Sequence, residues 1–193
     1  MKKKGVVVGV GGQGIISFTR VIGEICVSKG IPIIVSEVHG MAQRGGVVES
    51  SITINGKSPL VGEGEADFLI AFEPAEALRF IRRAKKDATI LVSKEPVLPQ
   101  AVKEGLEEYP ELTSYFKEVE NYFRGIKLIP AKGIAEEAGN PKALNTVMLG
   151  AAIALEIFPF SIKEAEETLK SWLPPKLHEV NLKALKKGYE FFK

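Results

Sequence analysis

Five residues near the start, Val6 to Val10, form an almost unbroken β-branched run that ends in a cluster of glycines. A run this apolar and this short reads as a buried parallel strand. Behind it, Ile15, Phe18, Ile22 and Ile25 recur at three- and four-residue steps, giving one apolar face to a helix from about Gln13 to Lys29. Strand, glycine turn and helix in that order commit the chain to an α/β architecture. A continuous buried strand needs cover on both faces, and only flanking helices supply it.

The order of later elements supports this. Gly30 stops the first helix, and Ile31 to Ser36 reads as a second buried strand. Val47 to Ile54 reads as an alternating strand, with a tight turn at Asn55-Gly56 and a short return strand around Pro59 to Val61. That hairpin makes the sheet mixed. Phe68 to Phe72 is predicted as a strand, Pro74 as the first turn of a helix reaching Arg83, and Thr89 to Ser93 as a strand. Pro96, Pro99 and Pro110 mark an excursion before a helix over 111–123, a late strand over 127–129 and a short helix over 133–138. From Pro141 the pattern is helical, over 143–157, 161–172 and 178–192. The expectation is a three-layer α/β/α, Rossmann-like fold with a mostly parallel, mixed sheet and a helical C-terminal region, residues 1–193 forming a single domain.

Composition excludes several chemistries. With 45% hydrophobic and 26% charged residues in 193, the chain has enough apolar content for a proper core and is not disordered. No apolar run approaches the roughly 18–20 residues of a membrane span, and the first strand is too short for a secretory leader, so a cytoplasmic location is expected. The net charge of +2 is dispersed, and Arg82-Arg83-Ala84-Lys85-Lys86 falls at a predicted helix end, where cations complement the dipole; no nucleic-acid or membrane surface is expected. The single cysteine, Cys26, cannot make an internal disulfide, a structural zinc site or an iron–sulfur cluster, and it lies mid-helix on an apolar background. With only His39 and His178, no metal site is expected either. Nucleophile-elbow, phosphate-loop and HExxH motifs are absent.

Two segments carry candidate chemistry. Gly9-Val10-Gly11-Gly12-Gln13-Gly14 satisfies G-x-G-x-x-G, and Glu37 stands where a ribose-binding acid would lie. Glycines here let a ligand approach backbone N–H groups, but the same glycines serve simple helix–strand packing or a protein contact. Ser36-Glu37-Val38-His39-Gly40-Met41-Ala42-Gln43-Arg44-Gly45-Gly46 crowds a carboxylate, an imidazole, an amide and a guanidinium into eight positions. His39 is a candidate acid or base, and Arg44 a candidate partner for phosphate or carboxylate. A structural polar network of Glu37, His39 and Arg44 is the competing reading.

Together with Gly64-Glu65-Ala66-Asp67, Phe72-Glu73-Pro74, Gly139-Asn140, Asn145, Leu149-Gly150-Ala151-Ala152, Phe158-Pro159, Asn181 and Gly188-Tyr189, these segments resemble the gamma-type domain of 2-oxoacid:ferredoxin oxidoreductases. The similarity is greatest to the small (beta) subunits of the indolepyruvate branch. The resemblance implies oxidative decarboxylation of aryl pyruvates to aryl-acetyl-coenzyme A, with reduction of ferredoxin, in aromatic amino-acid breakdown. It implies thiamine diphosphate and iron–sulfur clusters on a large alpha subunit, coenzyme A as co-substrate, and no cofactor held by this chain alone. It makes Glu37, His39 and Arg44 candidates for chemistry, and Gly9, Gly11, Gly12, Gln13, Gly14, Gln43, Gly45 and Gly46 candidates for cofactor binding or a partner-facing loop. Alternatives are a gamma subunit acting on pyruvate or 2-oxoglutarate, or a stand-alone dinucleotide-binding protein.

Overall fold

The computed structural model describes residues 2–39, 46–98, 100–123 and 125–193, and only the backbone of residues 39, 100 and 101. In chain order the elements are β1 (Lys3–Val10), α1 (Ile15–Ser28), β2 (Ile33–His39), β3 (Val47–Ile54), β4 (Ala66–Ala71), α2 (Pro74–Phe80), β5 (Ala84–Ser93), α3 (Gln100–Lys103), α4 (Thr113–Glu120), β6 (Ile126–Ile129), α5 (Ala131–Ala138), α6 (Leu144–Ala154), α7 (Ile162–Trp172) and α8 (His178–Glu190). Six strands form one sheet in the order β2-β3-β1-β4-β5-β6. Only β3 runs against the others: β1, β4, β5 and β6 pair in parallel, while β3 is antiparallel to both β1 and β2. The three-layer, mostly parallel expectation therefore holds.

Two strand predictions are corrected. The second strand is not a buried parallel strand but an edge strand: β3 lies between it and β1, and Ile33 to Glu37 are only half-buried. The Asn55-Gly56 turn does not open a hairpin, and residues 59–61 form no strand. Both edges of β3 are already occupied, so a return strand would have no free backbone to pair with. Val61 instead plugs the core with 4% exposure. The true hairpin is β2–β3, joined through residues 40–46. Because β3 is interior, its C-terminal half is buried on both faces rather than alternating.

The basic cluster is also reassigned. β5 begins at Ala84, so only Arg82 and Arg83 end a helical turn. Arg83 donates to the Val61 carbonyl and pairs with Glu49 at 3.5 Å, and Lys85 pairs with Asp67. Arg83 fastens the Val61 loop to β3, and Lys85 ties β5 to β4.

Each face of the sheet has its own core. One combines Val7, Ile52, Ile70 and Leu91 with α1 and α5–α8; the other combines Val8, Leu69, Ile90 and Val92 with α2 and α4. α6 is buried all round from Thr146 to Ala154, sandwiched beneath α8. The two helices touch backbone to backbone: a Cβ at Gly150 would fall 2.0 Å from the Leu185 carbonyl oxygen, and one at Gly188 would fall 2.1 Å from that of Val147. A Cβ at Gly23 on α1 would instead enter open space, with nothing within 4 Å. Gly150→Ala is therefore expected to cost about 3 kcal/mol or more by forcing α6 and α8 apart. Gly23→Ala should stabilise by about 0.5–1 kcal/mol through helix propensity. Thermal unfolding of the two variants checks the contrast.

Candidate functional site

Open α/β sheets place ligands outside the carboxyl ends of their strands, where successive connections diverge to opposite faces. Here that point lies between β1 and β4, since α1 packs on one face and α2 on the other. Both sequence-selected segments and Phe72-Glu73-Pro74 reach this edge. The Gly11 N–H donates to the Gly46 carbonyl at 2.8 Å, so the glycine turn and the end of the 40–46 loop touch.

Gln13 holds the turn. Its Oε1 accepts from the Val10 N–H at 2.7 Å, and its Nε2 donates to the Phe72 carbonyl at 2.7 Å, spanning from β1 to the end of β4. Gly9 is required beneath it, because a Cβ there would approach Gln13 Oε1 at 2.7 Å and Phe72 Cβ at 2.9 Å. Gly14 adopts φ +81°, and a Cβ there would lie 3.0 Å from Asn145 Nδ2 on α6. Gly12, at φ +104°, faces open space. The crevice at the divergence point is thus stapled by an amide bonded at both ends. Gln13→Leu leaves the Val10 N–H and Phe72 carbonyl without these partners, and unfolding titrations should show a loss of about 1–3 kcal/mol.

Glu37 lies on β2 opposite Ser50 of β3, which in turn lies opposite Val7. Its Oε1 accepts a hydrogen bond from Thr19 Oγ of α1 at 3.2 Å. Thr19 and Ser50 are fully buried, and Ser50 Oγ has no partner among the described residues. The sequence does not single out this buried polar group between α1 and the sheet, because Thr19 sits in a helix and Ser50 in a strand with no local motif. The backbone of His39 ends β2, paired with Val48. Gly40, Gln43, Arg44 and Gly45 lie outside the described residues. The elements therefore bring Glu37, the backbone of His39, Gly46 and the Gly9–Gly14 turn to one edge. Gly64-Glu65-Ala66-Asp67 instead sits at the opposite, amino edge, where Glu65 pairs with Lys4 at 2.7 Å and Asp67 accepts from the Lys4 N–H at 2.7 Å.

A second polar group at the carboxyl edge joins β4 to α2. Glu73, 2% exposed, caps α2 by accepting from the Glu76 N–H at 3.0 Å and also accepts from the Tyr109 hydroxyl. Burial and the adjacent Glu73 carboxylate hold Tyr109's hydroxyl above its ordinary range. Glu76 is 6% exposed, and its Oε2 has no partner among the described residues. Burial pushes its pKa up, against the opposing Arg79 guanidinium, with Glu73 adding repulsion. A raised folded-state value stabilises below the unfolded value and is lost as pH rises through the folded one. Glu76→Gln should accordingly flatten that loss, narrowing the stability gap between pH 5 and pH 8 in paired melting curves.

The iron–sulfur clusters implied by the resemblance do not fit this chain. Cys26 is its sole cysteine, lies fully buried in α1, and its thiol is pushed up to about 11 by burial, partly offset by Lys29. A cluster requires several exposed-enough thiolates. The described residues contain no helix long and apolar enough to cross a membrane.

A family model described as pyruvate ferredoxin/flavodoxin oxidoreductase matches residues 5–191. The chain belongs to the pyruvate ferredoxin/flavodoxin oxidoreductase family. Within it, the chain is 38% identical over 185 residues to indolepyruvate oxidoreductase subunit IorB of Archaeoglobus fulgidus, covering 95% of this chain and 92% of that one. Its fold matches the gamma subunit of a keto/oxoacid ferredoxin oxidoreductase from Geobacter sulfurreducens, with TM-score 0.72 at 23% identity over 98% of both chains. It also matches a 2-oxoglutarate:ferredoxin oxidoreductase from Magnetococcus marinus, with TM-score 0.73 at 21% identity, covering 99% of this chain but 31% of that one. There the fold is one part of a longer chain. Asn145 leaves no room for a side chain at Gly14, and Asn181 accepts from Thr146 Oγ at 2.7 Å and donates to the Leu177 carbonyl at 2.8 Å, so these residues serve the framework.

Proposed function

We propose that this chain is the small subunit of an indolepyruvate:ferredoxin oxidoreductase, active only with a large partner subunit that carries thiamine diphosphate and iron–sulfur clusters. The identity shared with the Archaeoglobus IorB subunit over nearly the whole of both chains carries this reading. The overall reaction breaks the bond between the carboxyl and keto carbons of an aryl pyruvate. The carboxyl carbon leaves as CO2, the acyl carbon bonds the coenzyme A sulfur, the thiol proton is released, and two electrons pass to ferredoxin. Thiamine diphosphate, bound by the partner, supplies the carbanion stabilisation this cleavage needs.

The role left to this chain is electrostatic and architectural. Its carboxyl edge presents the β2–β3 connection towards the partner, with the turn at Gly11 and Gly46 as its fixed base. Arg44 contributes positive charge towards a carboxylate or phosphate at the joint surface. Glu37, held by Thr19, together with His39 orients the connection. Gln43 and Gly45 belong to the same partner-facing loop, while Gly9, Gly12, Gln13 and Gly14 shape the adjoining turn. One domain spanning residues 1–193 and a cytoplasmic setting complete the reading.

Co-expression with the large subunit tests it. The pair should reduce a ferredoxin-substituting dye with indolepyruvate and coenzyme A, faster than with pyruvate or 2-oxoglutarate, while either subunit alone should be inactive. Equal or greater turnover on 2-oxoglutarate would replace the substrate class. Activity of the large subunit alone would remove the requirement for this chain. In the active pair, Arg44→Ala should lower turnover or raise KM by about tenfold, the scale of one charge-assisted hydrogen bond, without dissociating the subunits.

A further inference from the structure

Between α1, α6, α7 and α8, on the face of the sheet away from α2, lies a cavity of about 290 Å³. That is just below the range of about 300–1,000 Å³ typical of pockets for drug-sized ligands, so the cavity suits a smaller one. The proposed reaction gives it no part.

The lining specifies what fits. Phe18, Val21, Leu149, Leu169 and Leu173 provide apolar walls. Thr146 and Asn181 are engaged with the protein itself: the Thr146 hydroxyl donates to Asn181 Oδ1 at 2.7 Å, and Asn181 Nδ2 donates to the Leu177 carbonyl at 2.8 Å. The other two carboxamides are bonded through their oxygens only. Asn140 Oδ1 accepts from the Lys142 N–H at 2.9 Å, and Asn145 Oδ1 accepts from the Thr146 N–H at 2.9 Å. These bonds fix which end of each amide is which, and both NH2 groups keep their donor capacity. Lys142, exposed and between them in sequence, adds an ammonium group. No carboxylate lines the cavity among the described residues. A ligand head that meets Asn140, Lys142 and Asn145 therefore presents acceptors and carries negative charge. Three donors on three side chains match the three terminal oxygens of a tetrahedral head better than the two of a planar carboxylate.

We infer that the cavity between α1, α6, α7 and α8 is a binding site for a tetrahedral oxyanion on a short aliphatic chain, a phosphate monoester or a sulfonate. Its chain lies against Leu149, Leu169 and Leu173, and its oxygens meet Asn140, Lys142 and Asn145. The site requires neither the partner subunit nor turnover, and its ligand is neither the 2-oxoacid nor the thiol of the proposed reaction.

Titrating the full chain, labelled with nitrogen-15, with propyl phosphate and separately with propanesulfonate provides the test. Saturable shifts centred on the amides of Asn140, Asn145 and Leu173 support the site, and the tighter of the two probes identifies the head. Lys142→Ala should weaken that binding about tenfold while leaving the spectrum of the unliganded chain intact. Asn140→Asp keeps an oxygen for the Lys142 N–H but sets a carboxylate oxygen where the NH2 group stood, and it should abolish the shifts. Should that variant fail to fold, Lys142→Ala still decides. Shifts that do not saturate, that centre on other residues, or that persist at full affinity in Lys142→Ala would overturn the site. Butyrate binding as tightly as either probe would overturn the tetrahedral head, and inorganic phosphate doing so would overturn the aliphatic chain. Coenzyme A displacing propyl phosphate from the same amides would overturn the inference in favour of the co-substrate.

Discussion

The amide of Gln13 is the constraint on which the functional edge depends. One short side chain bonds the end of β1 and the end of β4, closing the point where the chain diverges to opposite faces of the sheet. With that crevice stapled, the glycine turn has a fixed shape, and the Gly11 N–H can hold the Gly46 carbonyl. The β2–β3 connection is thereby anchored to the centre of the sheet although β2 itself lies at the edge. In the G-x-G-x-x-G sequence Gly9, Gly14 and Gln13 are engaged in packing strand against helix, and the Gly11 N–H bonds the Gly46 carbonyl. Gly12 faces open space.

The layered architecture is legible because its signals are local. The Val6–Val10 run, the one-sided apolar helix behind it, and Pro74 at a helix start each report on a few neighbouring residues. The helix boundaries follow the sequence pattern within a few residues. The edge placement of β2 is not legible: a β-branched run such as Ile33-Ile34-Val35 has the same appearance whether one or two strands pair with it. The false hairpin at Asn55-Gly56 arises in the same way. Asn55 does take the positive φ that such a turn needs, at 53°. What decides the outcome is that β3 is already paired on both sides.

The candidate site shows a similar division. Glu37 and His39 are visible as unusual residues at a strand end. Thr19 and Ser50 are invisible, because a hydroxyl in the middle of a helix or strand announces nothing until the fold buries it between helix and sheet. The Tyr109–Glu73 bond joins residues far apart in sequence and belongs to the same class. Cys26, by contrast, can be read from its count alone, and its burial in α1 agrees with a packing role. The Magnetococcus structure carries this fold as about a third of a longer chain.

The central claim is that the carboxyl edge, anchored by Gln13, is the surface turned towards the larger subunit. Hydrogen–deuterium exchange of this chain, alone and assembled with the large subunit, tests it most directly. The account predicts that protection gained on assembly concentrates in residues 10–14, 37–47 and 72–74. Protection confined to the amino edge around Lys4, Glu65 and Asp67, with the carboxyl edge unchanged, would contradict it.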